Sequence, residues 1–452
     1  MIPMKNYSLF QPASLVRFVL IPMIAIMAQS LFGQDTLRLS LNDAISLGLK
    51  QNYNITISEQ ELRIAQNNNT PGAAGRYPSF DFRATQGNSF LNSESRTQAD
   101  VRDQLYTNYI SPAVTVNWTI FDGFRVNITK KNLEDLENLS EGFSALVVQN
   151  TVQAIILAYN NMLLQQEKLA VFDELKALSR DRLLYMRTKQ EFGSAVTFDV
   201  LLANDNYLTD SVNYLQQESS IRNAALLMKL LLALDDGVEV ELTDDFSVQI
   251  EEYAFEDLKS KMFSNNRTLL NQYLNQKIYE NSTELAQSSK YPELFLGSGA
   301  DYANTRQKYE GQEAATAYSF GYYANFTLRF NIYNGGATRR AFQNAVINEN
   351  IGLIEIEQMR KNLGNQLRNQ YDQFLIRKKL LTVAESSQQS AGLNLQIAEE
   401  RFKAGAINSF NYRDVQLSYL NSSIRRLEAV FNLISTETDI LRLTGGIISE
   451  NN

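Results

Sequence analysis

The 452-residue sequence contains no cysteine and no histidine. Without cysteine the chain forms no disulfides and no thiolate metal sites, and without histidine it has no imidazole ligands and no nucleophile–histidine catalytic pair. These absences predict a protein that is not an enzyme and that needs no cofactor and no metal. Catalysis by Asp, Glu, Lys, Tyr or Ser alone is the alternative that they leave.

Positive charge is also in short supply, since the formal net charge is −8 at pH 7. A net negative chain is a poor ligand for phosphate backbones, so we expect no nucleic-acid partner. Hydrophobic residues make up 44% of the sequence, which is enough for a large core and argues against disorder.

The first 33 residues have the composition of a secretory signal peptide. Lys5 and Arg17 precede a short apolar run that is interrupted by a proline. We expect cleavage after Gly33, with Ala28 as the other candidate, and an exported mature chain. An uncleaved anchor helix is the alternative interpretation.

The rest of the chain is an internal duplication at an offset of 212 to 214 residues. It predicts two structural repeats, at 34–246 and 247–452, each too long for a solenoid unit. The matching motifs are "YPSFDF" at Tyr77 with "YPELFL" at Tyr291, and "WTIFDG" at Trp118 with "FNIYNG" at Phe330.

Each repeat has the pattern of a helix, a strand pair, a very long helix, a glycine turn and a second long helix. Apolar residues at coiled-coil spacing and the small number of prolines, seven in all, predict long helices packed side by side. Locally, an ordinary antiparallel helical hairpin explains the same pattern. The expected helices are at 41–70, 124–192, 197–235, 255–289, 337–404 and 409–444, and the strand pairs at 77–122 and 291–334.

The predicted strands alternate apolar and polar residues over more positions than a soluble strand needs, as in residues 318–332. This length favours strands that cross an outer membrane, with a soluble β-domain as the alternative. Four such strands cannot close a barrel, so several chains would have to share one. The aromatic residues expected at the membrane interfaces are Trp118, Phe121, Tyr318, Tyr322, Phe330 and Tyr333.

With its duplication, its strand-to-helix junctions and its paired glycine turns, the chain resembles the TolC family of outer-membrane efflux proteins over almost its whole mature length. The resemblance implies a mainly helical fold with membrane β-structure. Long helical hairpins would form a trimeric α-barrel in the periplasm, and four strands per chain would contribute to a shared twelve-stranded barrel in outer-membrane lipid. It also implies a homotrimer that works with a periplasmic adaptor and an inner-membrane RND or ABC transporter.

The expected function is therefore a passive exit channel of a tripartite efflux or type I secretion system, opened at its periplasmic tip when the partners dock. A periplasmic coiled-coil scaffold or adaptor protein is the alternative; it explains the helices but not the aromatic strands. The cargo is not encoded in any recognisable pattern.

Within that interpretation Gly193 and Gly405 form the two turns at the periplasmic tip, because glycine adopts the positive φ that ends a helix. Thr197 and Ser409 follow each turn at the same distance, and we expect them to be the N-caps of the returning helices.

Three polar residues near the tip are candidates for the gate. The resemblance places a ring of acids six and nine residues after the second tip glycine, where this chain has Asn411 and Asp414. The amide at Asn411 departs from the family pattern and halves the expected acidic ring. Asp199 is a third candidate, although an acid in the first turn of a helix is also explained by the helix dipole. For Asp414 the alternative is a solvated surface acid.

Overall fold

The computed structural model describes residues 36–96 and 100–447, so the predicted signal peptide lies outside the described residues. Helices dominate, and the halves before and after residue 247 show the same order of long elements. In chain order the elements are β1 (Thr36–Leu39), α1 (Leu41–Gln51), α2 (Tyr53–Asn68), β2 (Ser79–Arg96), β3 (Asp100–Asp122), α3 (Arg125–Glu191), α4 (Thr197–Leu232), β4 (Glu239–Leu242), α5 (Phe255–Asn265), α6 (Arg267–Ser288), β5 (Glu293–Tyr309), β6 (Ala315–Arg329), α7 (Ala337–Lys403) and α8 (Ser409–Thr444).

The first predicted helix of each half is in fact two helices, which meet at Asn52 and Asn266. Each asparagine has extended backbone and caps the second helix, with its side chain accepting from Asn54 N at 2.9 Å and from Leu269 N at 3.0 Å. Their amide nitrogens also donate to backbone carbonyls of α4 and α8. Asparagine satisfies the orphan donors of a helix start, and the prediction of unbroken helices overlooked this capping role.

The long helices lie side by side in rows. α3 and α7 have 67 residues each, and α4 and α8 have 36. At 1.5 Å per residue the longer pair spans about 100 Å. Next to the strands the order is α2, α3, α6, α7, and towards the glycine turns it is α4, α3, α8, α7. The rows are tied by contacts such as that between Asn281 Nδ2 and Asp135 Oδ2 at 2.6 Å.

The four long strands form one antiparallel sheet with the order β2-β3-β5-β6. A bulge between Thr119 and Phe121 interrupts β3 shortly before it leads into α3. The sheet and the helical rows are therefore continuous, since each long helix begins a few residues after a strand ends.

A second, small sheet was not predicted. β1 and β4 pair in parallel, and they bring the start of the described chain against the acidic segment that connects the halves. The Tyr159 hydroxyl of α3 lies beneath them and donates towards Leu39 O at 3.0 Å and Asp244 Oδ2 at 2.9 Å. Burial, together with the Asp244 carboxylate, raises the pKa of Tyr159 to about 12. This polar contact anchors the small sheet on the helical rows.

By length and composition, one of the described helices, α3, could cross a membrane. Part of α3 belongs instead to the protein core: Val152, Ile155 and Tyr159 are buried against α1, α4 and the small sheet. The apolar character of this helix is therefore explained by packing within the chain.

Candidate channel wall and helical tip

The long sheet has one apolar and one polar face. The hydrogen-bonded register aligns Phe82, Val114, Ala300 and Tyr322 in a row across all four strands. Phe82 is 73% exposed and Tyr322 is 85% exposed. A sheet face with several exposed aromatic side chains is expected to contact a partner or a nonaqueous environment. Lipid around a β-barrel is such an environment.

The opposite face is polar. One residue along from the apolar row, the register aligns Arg83, Ala113, Asp301 and Gly321. Because successive residues of a strand face opposite sides, the side chains of Arg83, Ala113 and Asp301 point to the other face of the sheet. The next row on this face includes Asp81 and Thr115. A β-sheet with an apolar, aromatic face and a polar, charged face is typical of a barrel that has lipid outside and water inside.

The predicted interface aromatics are divided between the strands and their junctions with the helices. Trp118 lies in β3 and donates from Nε1 to Arg76 O at 3.1 Å, and Phe121 follows the bulge and contacts the Phe124 ring edge-on at 5.3 Å. Tyr318 and Tyr322 lie in β6, and both are exposed.

The predicted strand pair at 291–334 extends too far, because β6 ends at Arg329. Phe330 and Tyr333 lie beyond it, in the segment that turns into α7 through Gly335 and Gly336, both at positive φ. The strand ends at Arg329 because this residue pairs with Glu293, the first residue of β5, although the alternating pattern continues to residue 332. Both aromatic residues are exposed, and their role at the membrane interface stays a prediction.

Gly193 and Gly405 form the turns at the far end of the helices, with φ of +70° and +72°. At the first turn Ser194 N donates to Lys189 O and Gly193 N donates to Gln190 O, and the second turn repeats the pattern from Ala406 and Gly405. These are Schellman motifs, which need a left-handed residue at this position. No atom lies within 4 Å of a Cβ built at either glycine, so the requirement is conformational rather than steric.

The two predicted helix caps are wrong by one residue. Thr197 and Ser409 are the first residues of α4 and α8, and the N-cap positions are Val196 and Asn408. Asn408 accepts from Asn411 N at 2.9 Å, because its carboxamide reaches the donor that Ser409 was expected to satisfy. Val196 has no acceptor in its side chain, and Thr197 Oγ1 accepts instead from Gln190 across the turn.

The gate candidates lie close to these turns. Asn411 and Asp414 are on the exposed side of α8, and Asp199 is half-buried in the first turn of α4. The intervening Tyr412 is buried, and its ring stacks on Phe402 at 4.7 Å between centroids. The two polar candidates on α8 therefore point away from the helix contacts within the chain.

Beside the tip the structure contains a buried ion pair that we did not predict. Asp210 of α4 is 1% exposed, and Arg413 of α8 binds it through two contacts, Nη1 to Oδ2 and Nη2 to Oδ1, both 2.7 Å. The Ser179 hydroxyl of α3 also donates to this carboxylate. Three helices from both halves thus meet at one carboxylate. The sequence signal was its spacing, because Asp210 lies seven residues after the buried Ala203.

A second buried arginine lies next to the pair. Arg182 of α3 is 2% exposed, and its Nη1 donates to Ser409 O at 3.4 Å. Burial, followed by the charge of Arg413, lowers the pKa of Arg182 to about 10. Two buried guanidiniums therefore lie near one fully buried carboxylate, and only that of Arg413 is bound to it.

No group of three or more His, Cys, Asp or Glu side chains within residues 36–96 and 100–447 is arranged to hold a metal ion. The polar residues described above support the structure of a wall and of a tip, and they do not form an acid–base or nucleophilic arrangement.

Comparison with known proteins identifies a family with a matching sequence pattern. Residues 258–446 match the family model of the outer membrane efflux proteins. The predicted resemblance to the TolC family is confirmed. The family match also confirms the predicted class of function, an outer-membrane efflux channel, and the location in the outer membrane. The matched family consists of transport proteins rather than enzymes.

Solved structures show the same fold over nearly the whole chain. The channel protein CusC is 14% identical with a TM-score of 0.70, covering 90% of this chain and 92% of its own. The outer membrane protein VceC from Vibrio cholerae is 12% identical with a TM-score of 0.68, covering 90% and 96%. The open state of the MtrE outer membrane channel from Neisseria gonorrhoeae is 12% identical with a TM-score of 0.66, covering 90% and 89%. These likenesses confirm the predicted fold class of long helical hairpins with four membrane strands. A search of curated proteins finds no match.

Proposed function

We propose that three copies of this chain form a passive exit channel that crosses the outer membrane and extends into the periplasm. In a tripartite efflux or type I secretion system it would dock to a periplasmic adaptor protein and to an RND or ABC transporter of the inner membrane. One observation carries the proposal. In the sheet and in both helical rows, the outermost element on one side belongs to the first half of the chain and the outermost element on the other side belongs to the second half.

The order of the elements defines these sides. Within the described residues the sheet ends in β2 and β6, the helical row beside it ends in α2 and α7, and the row at the tip ends in α4 and α7. One side is therefore β2, α2 and α4, and the other is β6 and α7. Joining the first side of one copy to the second side of the next is a head-to-tail contact, and such a contact gives a ring when the rotation between copies closes after a whole number of copies.

Apolar residues lie exposed along both sides. An exposed row of apolar residues at coiled-coil spacing is stable only when another helix packs against it. The row on α4 of one copy and the row on α7 of the next copy could pack against each other. The exposed residues are Leu201, Leu208, Val212 and Leu215 on α4, and Leu380, Val383, Leu393 and Ile397 on α7.

The strand count favours three copies. Two copies would give eight strands, and the interior of such a barrel is filled by side chains. Three copies give twelve strands and leave a water-filled lumen lined by the polar face of the sheet. A periplasmic scaffold, the alternative function, gives the apolar face of the sheet no occupant.

The helices below the barrel would form the periplasmic duct. A helix of about 100 Å continues the wall from the membrane to the tip without a break. The channel performs no chemistry; its partners supply energy and choose the cargo. At the tip, three copies of Asp414 brought towards one axis would repel each other and attract cations, which makes Asp414, with Asn411 and Asp199, the proposed gate.

Cysteine cross-linking tests the ring directly, because the chain has no cysteine of its own. Val116 of β3 pairs with Ser298 of β5 within one chain. The equivalent positions in the other repeat are Leu328 of β6 and Ala84 of β2, so in the ring we expect Leu328 of one copy to pair with Ala84 of the next. The double variant Ala84→Cys, Leu328→Cys in outer membranes should oxidise to a trimer on non-reducing gels. The variant Val116→Cys, Ser298→Cys is the control and should cross-link only within one chain.

A purified trimer that conducts ions across planar lipid bilayers would complete the test. Monomers in the soluble periplasmic fraction, with no cross-link between chains, would contradict both the ring and the channel and would leave the scaffold function.

A further inference from the structure

The two ends of the long sheet differ in charge. At the end where the strands meet the helices, four segments together contain eight Lys or Arg residues and no Asp or Glu; these segments are 62–80, 123–133, 285–292 and 330–348. The two segments at the opposite end, 94–103 and 306–313, together contain four basic and five acidic residues. The formal net charge of the whole chain is −8, so positive charge is concentrated at one end of the sheet.

Exposed aromatic residues lie among these cations. We call the exposed basic and aromatic side chains at this end the junction belt, and they are Arg76, Tyr77, Trp118, Phe124, Lys290, Tyr291, Phe330, Arg339 and Arg340. The belt lies where the apolar face of the sheet ends and the helices begin.

One motif of the belt occurs in both repeats. The sequence "RYP" at residues 76–78 precedes β2, and "KYP" at residues 290–292 precedes β5, at the offset of 214 residues. Both tyrosines are exposed, Tyr77 at 64% and Tyr291 at 44%. Tyrosine is enriched at membrane interfaces because its ring is apolar and its hydroxyl is polar. Each repeat therefore has a cation next to an interface residue.

The cation of the first motif, Arg76, lies at the edge of the apolar face. Trp118 is on that face, four residues after Val114, and its Nε1 donates to Arg76 O at 3.1 Å. The exposed guanidinium donates from Nη2 to Asn127 Oδ1 at 3.1 Å, which positions it beside the start of α3. A guanidinium has five N–H donors in a planar fork that matches the oxygens of a phosphate group.

The cation of the second motif, Lys290, is positioned by an aromatic ring. Its Nζ lies 3.6 Å from the centroid of the Phe342 ring in α7, and the side chain is exposed. This cation–π contact orients the ammonium group and leaves its charge in place. Arg339 and Arg340 add two exposed positive charges in the first turn of α7.

The backbone at Phe124 supports a membrane environment for the belt. Phe124 has φ of +70°, and the equivalent residue of the second repeat is Gly336 with φ of +76°. A side chain other than glycine is strained in this conformation. The Phe124 ring is 56% exposed and contacts Phe121 and Tyr291 edge-on, at 5.3 Å and 6.1 Å between centroids. A strained residue that presents an apolar ring at the surface is explained by an apolar environment around that ring.

We propose that the junction belt binds anionic phospholipids of the periplasmic leaflet, with Arg76 and Lys290 binding their phosphate groups at two equivalent sites in each chain. The periplasmic leaflet follows from the helices, which leave the sheet at this end. Clustered Lys and Arg residues at a membrane surface attract anionic headgroups. A zwitterionic headgroup also carries an ammonium, which the positive belt repels. The proposal rests on the proposed function, since it presumes that the apolar face of the sheet lies in a membrane.

Trp118 reports lipid binding directly, because it is the only tryptophan in the chain and it contacts Arg76. The trimer is reconstituted in phosphatidylcholine vesicles that contain either brominated phosphatidylglycerol or brominated phosphatidylcholine at the same mole fraction. Bromine atoms near the headgroup end of the acyl chain quench the fluorescence of a nearby tryptophan. We expect phosphatidylglycerol to be preferred about fivefold, which corresponds to about 1 kcal/mol per basic residue at an anionic surface.

The variants assign this preference to particular cations. Arg76→Gln should bind the two lipids equally at Trp118. The matched control is Lys379→Gln, an exposed cation of α7 about 60 Å from the start of that helix, and it should keep the preference. The double variant Trp118→Phe, Phe330→Trp moves the reporter to the equivalent position of the second repeat. There Lys290→Gln should remove the preference and Arg76→Gln should leave it unchanged.

Equal quenching by the two lipids in the wild type, or a preference that survives Arg76→Gln, would overturn the proposal and leave the channel function intact. Absence of quenching by either brominated lipid would show that Trp118 is not in the membrane, and the proposed function would then fail together with the lipid sites.

Discussion

The substitution Asp210→Asn tests how strongly the tip depends on its buried ion pair. The carboxylate is 1% exposed, receives two 2.7 Å contacts from Arg413 and is the only fully buried carboxylate among the described residues near Arg182. An asparagine removes the negative charge and leaves two guanidiniums buried. Removing one partner of a buried pair costs about 3–5 kcal/mol.

Hydrogen exchange in the tip segment 405–416 measures this cost. A loss of about 3 kcal/mol corresponds to roughly a hundredfold loss of protection if the amides exchange through opening of the tip. The matched control is Asp205→Asn on the same helix, where the side chain is exposed and solvent screens its charge. We expect its protection to remain close to that of the wild type.

A double variant separates the ion pair from the packing around it. Replacing both partners, as Asp210→Leu with Arg413→Met, removes the uncompensated charge, and such replacements of buried pairs are often neutral or stabilising. Protection should therefore recover most of the loss seen in Asp210→Asn. If the double variant is as poorly protected as the single one, or if Asp210→Asn matches the exposed control, the reasoning about the ion pair is wrong.

Three further predictions concern other parts of the chain. Ala233 follows α4 with φ of +51°, and the equivalent residue in the second half is Gly445. Because glycine adopts this conformation without strain, Ala233→Gly should stabilise the protein by about 1 kcal/mol in chemical denaturation. Gly445→Ala should destabilise it, because a Cβ at this position would lie 2.8 Å from Asn265. The raised pKa of Tyr159 means that the folded state keeps a proton that the unfolded state loses; stability should therefore fall between pH 10 and pH 12, and Tyr159→Phe should flatten this slope in urea titrations. Block of single-channel conductance by divalent cations should weaken in Asp414→Ala, and equal block in both proteins would remove Asp414 from the gate.

Much of the fold could be predicted because its signals are local and occur twice. The predicted helix at 124–192 differs from Arg125–Glu191 by one residue at each end, since a long coiled-coil pattern is bounded by glycine turns. The small sheet could not be predicted, because each strand has four residues and its partner is about 200 residues away. Its pairing depends on tertiary packing rather than on any local pattern.

The errors at the tip have a similar origin. Asn408 and Ser409 are both good caps, and only the backbone geometry decides which one is used. Asp210 occupies a buried position of a seven-residue pattern, which marks it as unusual, but nothing local identifies Arg413 as its partner. That partner is set by the packing of α8 on α3, and therefore by the relation between the two halves.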